Sequence, residues 1–167
     1  MAGYLSVPLL LAAAVFQVVF SQAGPLSGLK PDMVLVMVAM AGLLMSLRRA
    51  LLLAFLSGLL LDIFSGMPFG FITLILLLIV SLVRLPNRDL VEMNPLVCMI
   101  VIALVTVLYY AMYGLAVMAL GGEPDWVYLL VTVMLPSLVM NSLISPIAFV
   151  LYRLIGHRTP PVREDWQ

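Results

Sequence analysis

The chain has 167 residues, 65% of them hydrophobic and 10% charged, and its formal net charge is zero. A soluble domain carries roughly 25% charged residues, and a nucleic-acid binder carries a basic surplus, so neither class fits. Long apolar runs without the alternation of a lipid-facing barrel strand define the fold class as all-α, a helical transmembrane bundle.

The first span is expected over Tyr4 to Phe20, ending at the breaker Ser21-Gln-Ala-Gly-Pro25. No Lys or Arg precedes it, so it lacks the basic start of a cleaved signal and reads as a retained span. Gln17 lies inside it and is expected to bond to a neighbouring helix.

Gly28-Leu-Lys-Pro-Asp32 opens the second span. Asp32 is placed to cap a helix starting at Met33, its carboxylate accepting from free backbone N–H groups. Leu35, Ala39, Gly42 and Ser46 give this span a partly small face. Leu47-Arg-Arg49 is a short turn, so spans two and three form an antiparallel hairpin whose small faces can cross closely.

The third span carries the most regular pattern in the chain. Ala50, Ala54, Gly58, Asp62 and Gly66 stand four residues apart and so share one helical face. In lipid, small residues admit a second backbone, and a carboxylate at such depth demands a partner or water. The stripe therefore reads as a seam on a buried rod. Two readings stay open: a seam internal to the bundle, or a surface that docks a partner protein with Asp62 fixing its register.

Gly66, Pro68 and Gly70 make a tight connection to the fourth span, Phe69 to Val83. The polar stretch from Arg84 to Pro95 follows; in it Arg88 and Glu92 are spaced to pair, and Asn94-Pro95 reads as an N-cap followed by proline at the first helical position. The fifth span runs from Leu96 to about Leu120, with Tyr109, Tyr110 and Tyr113 read as interfacial aromatics. Gly121-Gly-Glu-Pro-Asp125 turns the chain into the sixth span, Trp126 to about Leu154. Pro136 and Pro146 interrupt it, and Asn141, Ser142 and Ser145 are placed to satisfy freed carbonyls. Asn141 is expected near mid-bilayer, bonded within the bundle or, alternatively, to a partner or ligand. Residues 1–156 thus form one six-span domain, and the polar tail, 157–167, is expected to be disordered and cytoplasmic.

Charge sets the orientation. Six spans put both termini on one side, together with Arg48, Arg49, Arg84, Arg88, Arg153, Arg158 and Arg163, leaving only Lys30 opposite. The positive-inside rule makes the arginine side cytoplasmic. Lys30, Asp32 and Asp62 then fall at similar depth near the outer face, where a charge cluster is expected. Spans two to four are short, about 15 apolar residues or roughly 22 Å against a hydrocarbon core of about 30 Å. Helices so short are expected to be sheltered by longer ones, and can enclose a cavity or admit a partner.

Catalysis finds no support. The one histidine lies in the tail, and no Cys or His pair has metal-ligand spacing. No Ser or Thr in a span has an adjacent base, and no glycine-rich phosphate loop opens a helix. The twelve methionines read as adaptable packing. Neither enzyme activity nor a cofactor is expected.

Two segments resemble a known family. Gly28-Leu-Lys-Pro-Asp-Met-Val-Leu35 is similar to the Pro-Asp start of the second helix in the MreD rod-shape-determining family, and Ala54-Phe-Leu-Ser-Gly-Leu-Leu-Leu-Asp62, with Ser65-Gly66 and Pro68-Phe-Gly70, resembles that family's most distinctive stretch. The resemblance implies a non-catalytic inner-membrane scaffold of the bacterial cell-elongation, peptidoglycan-synthesising machinery. It also implies a single-pass MreC-like partner, in an assembly with MreB, RodA and a class B penicillin-binding protein. It further implies a fold similar to the six-helix S components of energy-coupling-factor transporters. That similarity supplies an alternative function: the substrate-binding S component of a vitamin-type transporter. Those proteins often carry Ala-x-x-x-Ala on the first helix; here Ala12, Ala13 and Ala14 are followed four residues on by Phe16, Gln17 and Val18. The scaffold reading is therefore preferred.

Overall fold

The computed structural model describes residues 32–84 and 94–156, with residues 151–156 described as backbone alone. The first span with Gln17, the residue Lys30, the Arg88–Glu92 pair and the tail lie outside the described residues.

The described chain is helical. Helix α1 (Met33–Leu44) leads through a short turn into α2 (Leu47–Ser65), which is followed by α3 (Phe71–Val83) and α4 (Pro95–Ala119). The last rod, α5, runs without a break through Trp126–Tyr128, a π-helical stretch Leu129–Met134, and Leu135–Gly156. Two stretches, Pro95–Ala119 and Trp126–Val150, are long and apolar enough to cross a membrane.

The bundle is centred on α1, and the stripe-bearing α2 lies beside it. Nine of the twelve α1 residues are buried, Val38 to Leu43 without interruption, so every side of the helix is covered. A helix that is apolar all round belongs in such a central position. α2, α3, α4 and α5 all pack on it. Its 12 residues extend only about 18 Å, and the 25 of α4 about 37 Å. Gly42 lies against Val80, each nine residues into its helix, so α1 and α3 start at matching levels.

Small residues set the tightest crossing. A Cβ on Gly58 would lie 2.5 Å from the Thr73 Cα, so the α2 and α3 backbones nearly touch there. The close crossing expected between spans two and three thus falls between spans three and four. Ala50, Ala54 and Asp62 are buried along the same face, while Leu52, Phe55, Leu56, Ile63 and Phe64 point outward. Gly66 ends α2 in the left-handed region at φ 68°, where a side chain would be strained.

Capping agrees with the sequence at Asn94, whose side chain accepts from the Leu96 N–H at 2.9 Å beside Pro95. The prolines of α5 are accommodated in two ways. The π-helical stretch ends just ahead of Pro136, a common way to absorb a missing donor. Pro146 leaves the Ser142 carbonyl, four residues earlier, without its helical N–H, and the Ser145 hydroxyl donates to that oxygen at 2.9 Å.

Charged residues separate by end. Arg48 and Arg49 are exposed in the first turn of α2, and Arg84 Nη2 donates to the Met45 carbonyl, so these three lie at one end of the bundle. Glu123 and Asp125 lie in the α4–α5 turn, across the length of α4 from that end.

Candidate functional site: two buried helix starts and an adjoining cavity

Helix α3 begins with a glycine, Gly70, in the N-cap position, so its own cap residue has no side chain to offer. The free N–H groups of a first helical turn need acceptors, and Asp62 of α2 supplies them. Its Oδ1 accepts from the Ile72 N–H at 2.8 Å, and its Oδ2 from the Thr73 N–H at 3.2 Å and the Thr73 hydroxyl at 2.6 Å. Asp62 is only 4% exposed. The carboxylate also sits at the positive end of the α3 dipole, where a negative charge is favoured. It therefore acts as an N-cap delivered from the neighbouring helix. Ser65 completes the arrangement, donating to the Asp62 carbonyl and accepting from the Met67 N–H, both at 3.2 Å.

The start of α1 is served differently. Asp32 occupies the N-cap position, but its carboxylate makes no capping bond, contrary to the sequence expectation. It accepts instead from the hydroxyl of Tyr110 on α4. Tyr110 Oη also bonds to Ser137 Oγ of α5 at 3.0 Å. The Asp32 backbone N–H donates to Asn141 Oδ1 at 2.9 Å. Asn141 Nδ2 in turn donates to Thr106 Oγ1 at 3.1 Å, and the Thr106 hydroxyl to the Ile102 carbonyl at 2.8 Å. One network thus joins α1, α4 and α5, with Asn141 and Thr106 fully buried and Ser137 1% exposed.

This placement corrects one expectation. Tyr110 is not an interfacial aromatic: it is buried and stands nine residues short of Ala119, about 13 Å down the helix. Asp32 is bonded to it. Of the expected cluster of Lys30, Asp32 and Asp62, Asp32 bonds to the α4–α5 network and Asp62 to the start of α3, with Lys30 outside the described residues.

The stripe Ala50, Ala54, Gly58 and Asp62 faces α3 and the core, and α3 already occupies the groove at Gly58. Gly66 lies beyond it in the open turn, with nothing within 4 Å of its Cβ position.

Four partners were missed in the sequence: Thr73, Tyr110, Ser137 and Thr106. A signal existed for three of them. Thr106 and Tyr110 on α4, and Ser137, Asn141 and Ser145 on α5, repeat every four residues, so each long helix carries a polar stripe, and the two stripes face each other.

Beside the start of α1 lies a cleft of about 410 Å³ between the last part of α4 and the first part of α5. Its lining includes Asp32, Tyr109, Tyr113, Tyr128 and Asp125. Tyr109 and Tyr110 stack edge to face at 5.3 Å. Among the described residues no three His, Cys, Asp or Glu side chains converge as a metal site would require.

Long apolar helices enclosing short ones, with polar side chains joined to one another, define an α-helical membrane protein whose described buried groups hold helices in place. Residues 2–155 match the family of the rod shape-determining protein MreD, and the chain belongs to that family. It is therefore an inner-membrane protein with a role in determining rod shape. Comparison with curated proteins and with solved structures finds no match.

Proposed function

We propose that the chain is a non-catalytic scaffold of the cell-elongation machinery, six-spanning with both termini cytoplasmic, which holds the membrane helix of an MreC-like bitopic partner. The family assignment supports the setting, and the gathering of Arg48, Arg49 and Arg84 at one end supports the orientation. RodA, a class B penicillin-binding protein and MreB are the wider partners in this reading. The observation that carries the non-catalytic reading is the engagement of the carboxylates at the two helix starts: Asp62 is ringed by three donors of α3, and Asp32 is joined to Tyr110. A reactive centre needs groups that converge on a substrate, and these converge on the chain's own helices.

Because α3 fills the small-residue groove, the partner helix is assigned to the outward side of the same α2–α3 unit. There Ile63, Phe64 and Phe69 are each more than half exposed around the turn that Asp62 secures. In this reading the stripe and Asp62 build the docking surface from behind. The test is gentle detergent extraction of the tagged full chain. Retention of a bitopic coiled-coil protein is expected, and its loss by several-fold in a Phe64→Ser, Phe69→Ser variant that still inserts. Absence of such a protein from the native extract overturns the scaffold reading; full retention by the variant overturns the assigned surface alone.

A further inference from the structure

We propose that the α2–α3 side of the bundle thins the bilayer around it, so that this flank is a binding surface for lipid with short or disordered acyl chains. The inference rests on helix lengths and exposure, not on the scaffold reading. α3 has 13 residues, about 20 Å of helix, and the apolar part of α2 from Ala50 to Phe64 is about 22 Å long. Both turn apolar side chains outward, Leu52, Phe55 and Leu56 on α2 and Leu74, Leu78 and Leu82 on α3. The hydrocarbon core of a bilayer is about 30 Å thick. The opposite flank is long. α4 and the stretch Trp126–Val150 each have 25 residues and no charged side chain, about 37 Å of helix. Exposed apolar side chains run from Leu96 to Met118 on the first and from Val127 to Val150 on the second. A long helix meets a thinner layer by tilting, whereas a short one cannot lengthen.

Neither end of the short flank reaches out to a distant headgroup. At the arginine end, Arg84 donates to the Met45 carbonyl, which holds its guanidinium at the helix end. At the other end the exposed side chains are Ile63, Phe64 and Phe69, and the Ser65 hydroxyl is engaged with the Asp62 carbonyl and the Met67 N–H. Among the described residues the N–H groups of Phe69 and Gly70 meet no acceptor. In dry hydrocarbon such groups stay unpaired at a cost of several kcal/mol each, so water or headgroups come to the turn. The polar boundary is thereby drawn inward by about 8 Å. A helix that takes the place of lipid on this flank relieves the mismatch, so the thinned patch also favours association there.

The test uses the full chain purified alone, which leaves this surface open, in bilayers of dimyristoleoyl-, dioleoyl- or dierucoyl-phosphatidylcholine. In a Trp126→Phe, Trp166→Phe background, Leu78→Trp places a single reporter on the short flank and Leu104→Trp places one on the long flank. Quenching by brominated lipid gives the relative affinity of each lipid at each flank. The Leu78→Trp reporter is expected to favour the shortest lipid over the longest by about twofold or more, and the Leu104→Trp reporter to show no such preference or the reverse. No preference for the shortest lipid at Leu78→Trp, or the same preference at both positions, overturns the proposal. The native chain supplies a second measurement that needs no substitution. Amide exchange at Phe69 and Gly70 in dioleoyl bilayers is expected within about thirtyfold of the rate in an unstructured peptide; stronger protection places the turn in hydrocarbon and overturns the proposal as well.

Discussion

Replacing Gly58 with alanine adds one methyl group at the tightest point of the bundle. That carbon would stand 2.5 Å from the Thr73 Cα, 2.8 Å from its hydroxyl oxygen and 3.0 Å from its Cβ. A backbone atom cannot swing aside, so α2 and α3 must part by about 1 Å to restore ordinary contact. Asp62, one turn further along α2, is bonded to α3 at 2.8 and 3.2 Å through backbone N–H groups. The same displacement carries those bonds past about 3.5 Å, where they cease to count. Overpacking costs about 1–3 kcal/mol and each weakened bond about 0.5–1.5, against a gain of about 1 kcal/mol in helix propensity. The net expectation is a loss of about 1–5 kcal/mol. Gly42→Ala provides the control, because its added carbon meets Val80 at 3.6 Å, an ordinary contact. There the propensity gain stands nearly alone, and the variant should be unchanged or stabilised by up to about 1 kcal/mol. The assay is reversible unfolding of the full chain in mixed dodecylmaltoside and SDS micelles, followed by circular dichroism. If the two variants agree within about 0.5 kcal/mol, the α2–α3 crossing does not depend on a bare backbone and the reasoning fails.

A double-mutant cycle on Asp62→Asn and Thr73→Val should give a coupling of about 0.5–1.5 kcal/mol, because the side-chain bond between them is one of three to the same carboxylate; strict additivity removes Asp62 as the cap of α3. Tyr110→Phe deletes the hydroxyl that links Asp32 to Ser137 and should destabilise the bundle by about 1–3 kcal/mol in the same assay, while Tyr113→Phe should change it by less than about 0.5.

Local signals survived from sequence to structure where their partners lay nearby in the chain. The Asn94-Pro95 cap, the Gly121–Asp125 turn and the Ser145 compensation at Pro146 each involve residues a few positions apart; the hairpin turn expected at Leu47-Arg-Arg49 falls just before it, at Met45 and Ser46, and the arginines begin α2. The stripe on α2 was legible as a packing seam because spacing alone defines a helical face. What it packs against was not, since Gly58 meets Thr73 across a turn of unknown geometry. Asp62 had a clue, a helix start at Gly70 with no side chain to cap it. Asp32 had the opposite problem: its N-cap position pointed to local capping, while its bonded partner lies 78 residues away. The central place of α1 accords with its shortness and all-round apolarity.

The shortness of α1 has a consequence for how the protein is made. A segment of 12 residues reaches about 18 Å and cannot bridge a hydrocarbon layer of about 30 Å on its own. As it leaves the translocation channel it has no stable transmembrane state to adopt, and the tyrosine and asparagine that receive its first residue are not yet synthesised. Its lasting retention must wait for α4 and α5, so biogenesis of this protein couples the insertion of an early segment to the folding of late ones.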